Sequence, residues 1–163
     1  MRSVPCGDVI SGTSSVSSIQ QAGAVCFRLN ALSLVPEILL ITSRRTGLWG
    51  IPKGTIEAGE SAAAAALREA QEEAGVPGQV SNACIGRYFY SKGEPERLYE
   101  VHVHALRVQV QGEPDEMERH RRMRWAPVAE ASTSVSNVEL KFVLRSALPI
   151  IESFFPHALP NVS

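Results

Sequence analysis

The stretch that decides the fold runs from Gly54 to Val76 and reads GTIEAGESAAAAALREAQEEAGV. At about 100° per residue, Glu69, Glu72 and Glu73 stand at i, i+3 and i+4, so their carboxylates share one face of a helix. The pattern predicts a helix from about residue 60 to residue 74, charged on one side and buried on the other. On the acidic face, one and two turns earlier, the small residues Ala62, Ala65 and Ala66 are expected beside a ligand. On the opposite face the side chains are small enough for close approach to a sheet, and they are Ala63, Leu67, Ala70 and Ala74.

Three carboxylates on one helix face suit a hard divalent cation held against a diphosphate. Magnesium prefers oxygen ligands in an octahedral array, whereas zinc favours nitrogen or sulfur. Carboxylates packed together without a cation repel one another, and a bound metal relieves that repulsion. We therefore expect Mg²⁺, with Mn²⁺ as a substitute, to neutralise the diphosphate oxygens and activate a water. The spacing alone does not separate the three acids into metal ligands and a general base.

The same residues resemble the Nudix box, the pattern G-x5-E-x7-R-E-U-x-E-E-x-G-U, in which U is a bulky apolar residue. Ala70 is smaller than the usual residue at the first apolar position, which affects packing more than chemistry. The resemblance to the Nudix hydrolase superfamily implies an α+β fold, an α/β/α sandwich with a mixed β-sheet between helices, over residues 19–155. The other positions of the box are filled by Gly54, Glu60, Arg68, Glu69, Glu72, Glu73, Gly75 and Val76.

The resemblance also implies a role for each acid of the box. Glu69 and Glu73 are expected to ligate the metal directly. Glu72 is expected to ligate a further ion or to take the proton from the attacking water. A downstream acid is the alternative general base, and the candidates are Glu113, Glu116 and Glu118.

Two further residues of the box are expected to support this chemistry. Arg68 is assigned to the catalytic group and is expected off the metal face, paired with Glu60 so that it orients the loop. Gly54 is assigned to the metal site, where it lets a backbone carbonyl approach the cation that a side chain would obstruct.

The rest of the chain reads as alternating strands and a second helix. Gly75 and Pro77 mark the end of the first helix. Ser136, with Glu139 three residues later, forms a capping box that opens a second helix through about residue 155, kinked or interrupted near Pro149. Strands are predicted at residues 19–30, 37–43, 80–90, 97–111 and 118–125, with loose tails at 1–18 and 156–163.

Composition narrows the class of protein. The chain has 163 residues and a net charge of −1, so general attraction to nucleic acid or to anionic membrane is not expected. It has no apolar run long enough to cross a membrane. Its three cysteines lack metal-ligand spacing, and Cys26 and Cys84 are expected as buried free thiols in a reducing cytoplasm. The expected partner is a small-molecule phosphoanhydride, and the oligomeric state stays open.

Basic residues around the box favour a highly anionic substrate. Arg44 and Arg45 precede the metal loop, and Lys53 lies within it. A dense run from residue 119 to residue 124 carries Arg122 and Arg124, which are expected to bind substrate phosphates.

Sequence around these basic residues resembles two branches of the superfamily. Residues 48–54 resemble the Trp-Gly-x-Pro-Lys-Gly entry of enzymes that cleave diadenosine polyphosphates and diphosphoinositol polyphosphates. Residues 85–86, 97–99 and 122–125 look most like the diphosphoinositol polyphosphate phosphohydrolase branch, although that branch often carries a glycine-rich loop where this chain has Pro52-Lys53-Gly54. Two alternatives stay open: an RNA 5′-triphosphate pyrophosphohydrolase and a non-catalytic module that binds a nucleotide.

Overall fold

A computed structural model of the protein describes residues 16–156. The tails predicted at 1–18 and 156–163 lie almost wholly outside this range and stay predictions. The elements are β1 (Ile19–Leu29), β2 (Pro36–Thr42), β3 (Trp49–Gly50), β4 (Lys53–Thr55), α1 (Ala62–Ala74), β5 (Gly78–Lys92), β6 (Arg97–Val108), a 3₁₀ turn (Glu116–Glu118), β7 (Met123–Pro127), α2 (Val128–Ser134) and α3 (Val138–Ser153).

The strands form one mixed sheet in the order β3-β2-β1-β6-β5, with β4 paired to β1 and β7 paired to β2. The central pair, β1 and β6, is parallel, and every other pair is antiparallel. Helix α1 packs on one face of the sheet, and α2 and α3 pack on the other. The predicted α+β fold, with a mixed sheet between helices, is confirmed.

Alternation along β1 separates two hydrophobic cores. Val25 and Phe27 point into the core with α2 and α3, whereas Ala24 and Cys26 point into the core with α1. Because successive strand residues face opposite sides, one strand supplies large side chains to one core and small side chains to the other. The small side chains let α1 lie close to the sheet.

Helix α1 begins two residues later than predicted and ends as predicted. The Ser61 hydroxyl accepts a hydrogen bond from the Ala64 amide at 3.1 Å, so Ser61 is the N-cap. Gly75 ends the helix with φ 67°, the left-handed conformation that favours glycine. The expectation that Ala65 and Ala66 face a ligand was wrong, because both are fully buried in the core against the sheet.

The largest differences from the predicted elements follow β6. The strand predicted at 118–125 is instead the 3₁₀ turn followed by β7, and Arg121 lies between them. Helix α2 was not predicted. The capping box at Ser136 was wrong, since the Asn137 side chain accepts from the Leu140 amide at 3.0 Å and caps α3. Helix α3 continues through Pro149 to Ser153 without interruption.

The cysteine prediction was half right. Cys26 is buried, whereas Cys84 is exposed. Cys84 lies on β5, the last strand of the sheet, between two irregularities in its pairing with β6, and this position leaves its side chain open to solvent. Over residues 16–156, no helix has both the length and the apolar character that crossing a membrane requires.

Candidate active site

A cavity of about 500 Å³ opens between the loop after β2, the short strand β4, one edge of α1 and the middle of β5. Acids and bases meet on its wall. The charged and tyrosine residues that line it are Arg44, Arg45, Lys53, Glu69, Glu73, Tyr88, Tyr90, Lys92 and Arg121.

Both carboxylate oxygens of Glu73 accept hydrogen bonds at the wall of this cavity. Its Oε2 accepts the Lys53 backbone amide at 3.1 Å, and its Oε1 accepts Nη2 of Arg121 at 2.9 Å. Burial raises the pKa of the Glu73 carboxyl to about 7, although Arg121 favours the charged form. The carboxylate therefore occupies a site where its negative charge is only partly compensated.

Glu69 lies one turn earlier, directly under Gly54. A Cβ placed on Gly54 would overlap the Glu69 carboxylate, so glycine is required for the helix and the β4 loop to approach this closely. Burial raises the pKa of Glu69, and Nη1 of Arg68 opposes that rise by donating to its Oε1 at 2.7 Å. Glycine is therefore required at position 54 by the Glu69 carboxylate. From the sequence, this glycine is expected only to let a backbone carbonyl approach the cation.

Arg68 joins the loop before α1 to two acids of the helix face, Glu69 and Glu72. It donates to both oxygens of Glu60, at 2.9 and 3.0 Å, and to the Thr55 carbonyl at 3.0 Å. The pair with Glu60 that the resemblance implied is therefore present. The expectation that Arg68 stands off the metal face was wrong, because its Nη1 reaches Glu69 and also Glu72, the latter at 3.3 Å. A long arginine side chain spans the arc that separates its Cα from the acidic face.

Glu72 is set apart from the other two acids. Its side chain is 43% exposed, and it does not line the cavity. Within the range 16–156, no group of three or more His, Cys, Asp or Glu side chains is arranged to hold a metal ion. The structure brings Glu69 and Glu73 to the cavity with Gly54, and the role of Glu72 as base or further ligand stays a prediction.

Lys53 is held against the aromatic wall of the cavity. Its Nζ lies 3.3 Å from the Tyr90 hydroxyl and 4.5 Å from the centroid of the Tyr90 ring. Tyr90 in turn donates to Gln21 Oε1 at 2.6 Å. Burial lowers the pKa of Lys53, while Glu73 opposes the shift. A fixed, largely desolvated ammonium group at this position can bind an anion strongly.

The predicted basic residues divide into two groups. Arg44 and Arg45 line the cavity, and Arg44 is paired with Glu118 at 3.2 Å. Arg122 and Arg124 do not line it; their guanidinium groups lie over the Trp49 ring, at 5.3 and 5.2 Å from its centroid.

Arg124 is further engaged by partners outside the cavity. It pairs with Glu130 at 3.1 Å and donates to the Ser134 hydroxyl at 2.6 Å. Arg121, which the sequence places in this run but does not single out, is the arginine of the run that lines the cavity. The available signal was Glu118 three residues earlier, because this spacing places the two side chains together in a turn but not in an extended strand.

A second cavity of about 320 Å³ adjoins the first and shares Arg45 and Lys92 with it. The hairpin between β5 and β6 adds Arg97 and Tyr99, and Lys92 Nζ lies 4.5 Å from the Tyr99 ring centroid. None of the three basic side chains lies within 4.0 Å of a carboxylate in the part of the chain that the structure describes. The outer part of the cleft thus carries three basic side chains beside one acid of its lining, Glu94.

The donors at the inner end of the cleft fit a hard divalent cation. Glu69 and Glu73 present carboxylate oxygens, the ligand type that Mg²⁺ prefers. Burial alone pushes both acids towards their neutral forms, and a cation between them would favour the charged forms instead. The missing Cβ of Gly54 leaves the space that the Glu69 carboxylate itself occupies.

Comparison with known proteins gives one family. A protein-family model described as NUDIX domain matches residues 20–145. The chain is 32% identical over 111 residues to Nudix hydrolase 21, chloroplastic, of Arabidopsis thaliana, covering 68% of this chain and 56% of that protein. It is 33% identical over 120 residues to the putative mutator protein MutT4 of Mycobacterium tuberculosis, covering 69% and 47%.

A further relative is diphosphoinositol polyphosphate phosphohydrolase 3-beta of Homo sapiens, 30% identical over 113 residues, covering 69% of this chain and 66% of that protein. The chain thus spans about half the length of the first two relatives and about two thirds of this one.

Solved structures show the same fold at lower identity. A C. elegans Ap4A hydrolase in a binary complex superposes with a TM-score of 0.67 at 23% identity, over 83% of this chain and 99% of that one. The E. coli dihydroneopterin triphosphate pyrophosphohydrolase superposes with a TM-score of 0.61 at 15% identity, over 77% and 92%.

Proposed function

Because the chain belongs to the NUDIX family, we propose that it hydrolyses a phosphoanhydride bond in a small polyanionic substrate, using a divalent cation such as Mg²⁺. Nudix hydrolases generally use divalent metal ions of this kind. The observation that carries the proposal is the meeting of two partly buried acids, Glu69 and Glu73, with a wall of basic side chains in one cavity. The negative charge of two phosphoryl groups joined by an anhydride can be neutralised by a cation that the acids hold and by direct contacts with basic side chains.

The residues of the box have separate tasks in this proposal. Glu69 and Glu73 would hold the cation, and Gly54 leaves the space that the Glu69 carboxylate occupies. When bound, such a cation would neutralise charge on the phosphate oxygens and make phosphorus more open to attack. Glu72 takes a proton from the attacking water or holds a further ion, and Arg68 ties Glu69 and Glu72 to the loop through Glu60 and the Thr55 carbonyl. The water oxygen adds to phosphorus, the bridging P–O bond breaks, and each product leaves as a phosphate.

Basic side chains bind the substrate on either side of the bond that breaks. Lys53 is fixed by Tyr90 and contacts a phosphate at the inner end, with Arg44 and Arg45 above it. Arg122 and Arg124 remain proposed phosphate ligands for parts of a substrate that extend past Trp49, although neither lines the cavity. Arrangement along a cleft, instead of around one point, suits an extended polyanion.

We propose that the substrate is a diphosphoinositol polyphosphate or a dinucleoside polyphosphate. The support is the second cavity, where Arg45, Lys92 and Arg97 add basic charge beyond the reach of a single diphosphate. The names of the human relative and of the C. elegans structural neighbour are consistent with these two substrate classes. A cytoplasmic location stays a prediction.

A substrate panel tests the proposal. The purified chain is incubated with Mg²⁺ and, in separate assays, a diphosphoinositol polyphosphate, diadenosine tetraphosphate, ADP-ribose, a nucleoside triphosphate and 5′-triphosphorylated RNA. We expect turnover of the first two that disappears with EDTA and returns with Mg²⁺ or Mn²⁺. Preference for ADP-ribose contradicts the substrate class, preference for RNA supports the pyrophosphohydrolase alternative, and no metal-dependent turnover at all supports the non-catalytic module.

A further inference from the structure

The Arg121 guanidinium group donates a hydrogen bond to Glu73 Oε1, one of the two carboxylate oxygens that would ligate a cation. We infer that Arg121 couples the two binding events of the proposed function, so that the divalent cation binds weakly alone and tightly together with an anionic diphosphate. The inference rests on the proposed function and adds a coupling between its two ligands. The cation and the substrate each strengthen the binding of the other, and Arg121 is the positioning residue that couples them.

All the nitrogens of the Arg121 guanidinium group are held. Nη2 donates to Glu73 at 2.9 Å, Nη1 donates to the Thr42 carbonyl at 3.0 Å, and Nε donates to Glu118. The side chain is 10% exposed. Backbone bonds fix the segment as well, since Thr42 donates to the Arg122 carbonyl and accepts the Arg122 amide on its hydroxyl, each at 3.0 Å. The positive charge therefore has a fixed position at the cavity wall.

This position opposes a cation on the same carboxylate. A divalent ion on a Glu73 oxygen would lie beside the Arg121 guanidinium group, and like charges that are close together in a partly buried site repel each other. Both oxygens of Glu73 already accept hydrogen bonds, from Arg121 and from the Lys53 amide. The cation alone must therefore compete with an existing partner and with its charge.

A diphosphate changes the balance because its oxygens attract both positive groups. Placed between them, the anion binds the cation on one side and Arg121 on the other, which releases Glu73 for the metal. Coupling of this kind is reciprocal: if the diphosphate strengthens metal binding, the metal strengthens diphosphate binding by the same factor. Arg121 paired only with Glu118 and Thr42 would then complete the phosphate site.

Metal binding without turnover tests the inference. Mn²⁺ affinity is measured by electron paramagnetic resonance at buffered free metal, with and without saturating imidodiphosphate, a diphosphate analogue that resists hydrolysis. In the unaltered protein we expect imidodiphosphate to tighten Mn²⁺ binding at least tenfold. In Arg121→Gln we expect Mn²⁺ alone to bind three- to tenfold more tightly and the effect of imidodiphosphate to fall to less than threefold.

Two control variants separate this role from a structural one. Arg119→Gln removes an exposed arginine two residues away and should change neither value. Arg121→Lys keeps the charge and should retain most of the coupling. Thermal unfolding followed by circular dichroism verifies that each variant is folded.

The outcomes also separate this inference from the proposed function. Unchanged or weaker Mn²⁺ binding in folded Arg121→Gln, or coupling that survives the substitution, overturns the inference. Coupling that follows this pattern in a protein that cleaves no phosphoanhydride keeps the inference and rejects the proposed function. An unaltered protein that binds no Mn²⁺ under either condition rejects both.

Discussion

Strand β1 presents residues of different size to the two faces of the sheet. Towards α3, β1 presents Val25 and Phe27, and Leu144 of the helix is fully buried against them. Towards α1, the same strand presents alanine and cysteine, and alanines of the helix, such as Ala66, pack in the same core. Large apolar side chains buried on the first face stabilise the fold. The α1 face also buries large side chains of β2 and β6, such as Leu39, but its small residues on β1 and α1 bring the helix close to the sheet. The acids at the edge of that helix are held to a loop, so the chemistry depends on this close approach.

The largest effect should come from an acid on the α1 side. Glu73→Gln keeps the size of the side chain but removes the charge that a cation needs, so we expect kcat/KM to fall roughly 10³-fold. Thermal stability should change little, and Mn²⁺ binding should be lost. Glu96→Gln, at an exposed hairpin position, should keep full activity. Full activity in Glu73→Gln would remove this acid from the metal site.

The converse change belongs on the α3 side. Leu144→Ala leaves a cavity in the core of large side chains, so we expect the free energy of unfolding to fall by about 2–5 kcal/mol. Activity per folded molecule should stay unchanged at temperatures well below the new midpoint. Leu148→Ala, at a partly buried position of the same helix, should cost less. Denaturant titration with parallel kinetics measures both quantities, and a large loss of kcat in folded Leu144→Ala would contradict the division between the faces.

Overpacking should affect stability and chemistry together on the α1 side. Ala66→Leu adds three heavy atoms where the helix touches the sheet, so we expect a loss of about 1–3 kcal/mol and a lower kcat as Glu69 and Glu73 shift. Ala64→Leu, two residues earlier on the exposed side of the helix, is the matched control and should be close to neutral. Equal behaviour of the two variants would show that α1 does not pack as closely as its small residues require.

The smallest effect concerns the cap of α3. Asn137→Ala removes the acceptor for the Leu140 amide and the donor to the Phe89 carbonyl, so we expect a loss of about 1 kcal/mol. Ser136→Ala should leave stability unchanged, because the capping side chain is the next residue. A larger cost for Ser136→Ala would restore the capping box predicted from the sequence.

Much of the fold could be predicted from the sequence because local patterns determine it. The apolar run of β2 and the acids and cap of α1 are signals within a few residues of one another. Helix α2 gives no such signal: it has seven residues and is rich in serine and threonine. Burial of Val128 and Ala131 against the rest of the protein holds it in place, and a tertiary effect of this kind has no local pattern.

The site was predictable to the same limit. The box acids and Gly54 follow from spacing within one helix and one loop. To identify the arginine that reaches the cavity, one must know the backbone conformation of residues 118–125. A strand and a turn would direct different arginine side chains towards the cavity. The contacts that decide for Arg121 join it to Glu73 and Thr42, which are 48 and 79 residues away in the sequence.

The segment after β6 is docked on the end of α1. Gly112 donates to the Gly75 carbonyl and Asp115 to the Glu72 carbonyl, each at 2.8 Å. The chain from Asp115 to Arg121 is therefore a spacer with a fixed start, and its length sets how far the arginine reaches. Most of its side chains, Glu116, Met117, Arg119 and His120, are exposed. Replacing them should be tolerated, whereas inserting or deleting a single residue should aim a different side chain at Glu73.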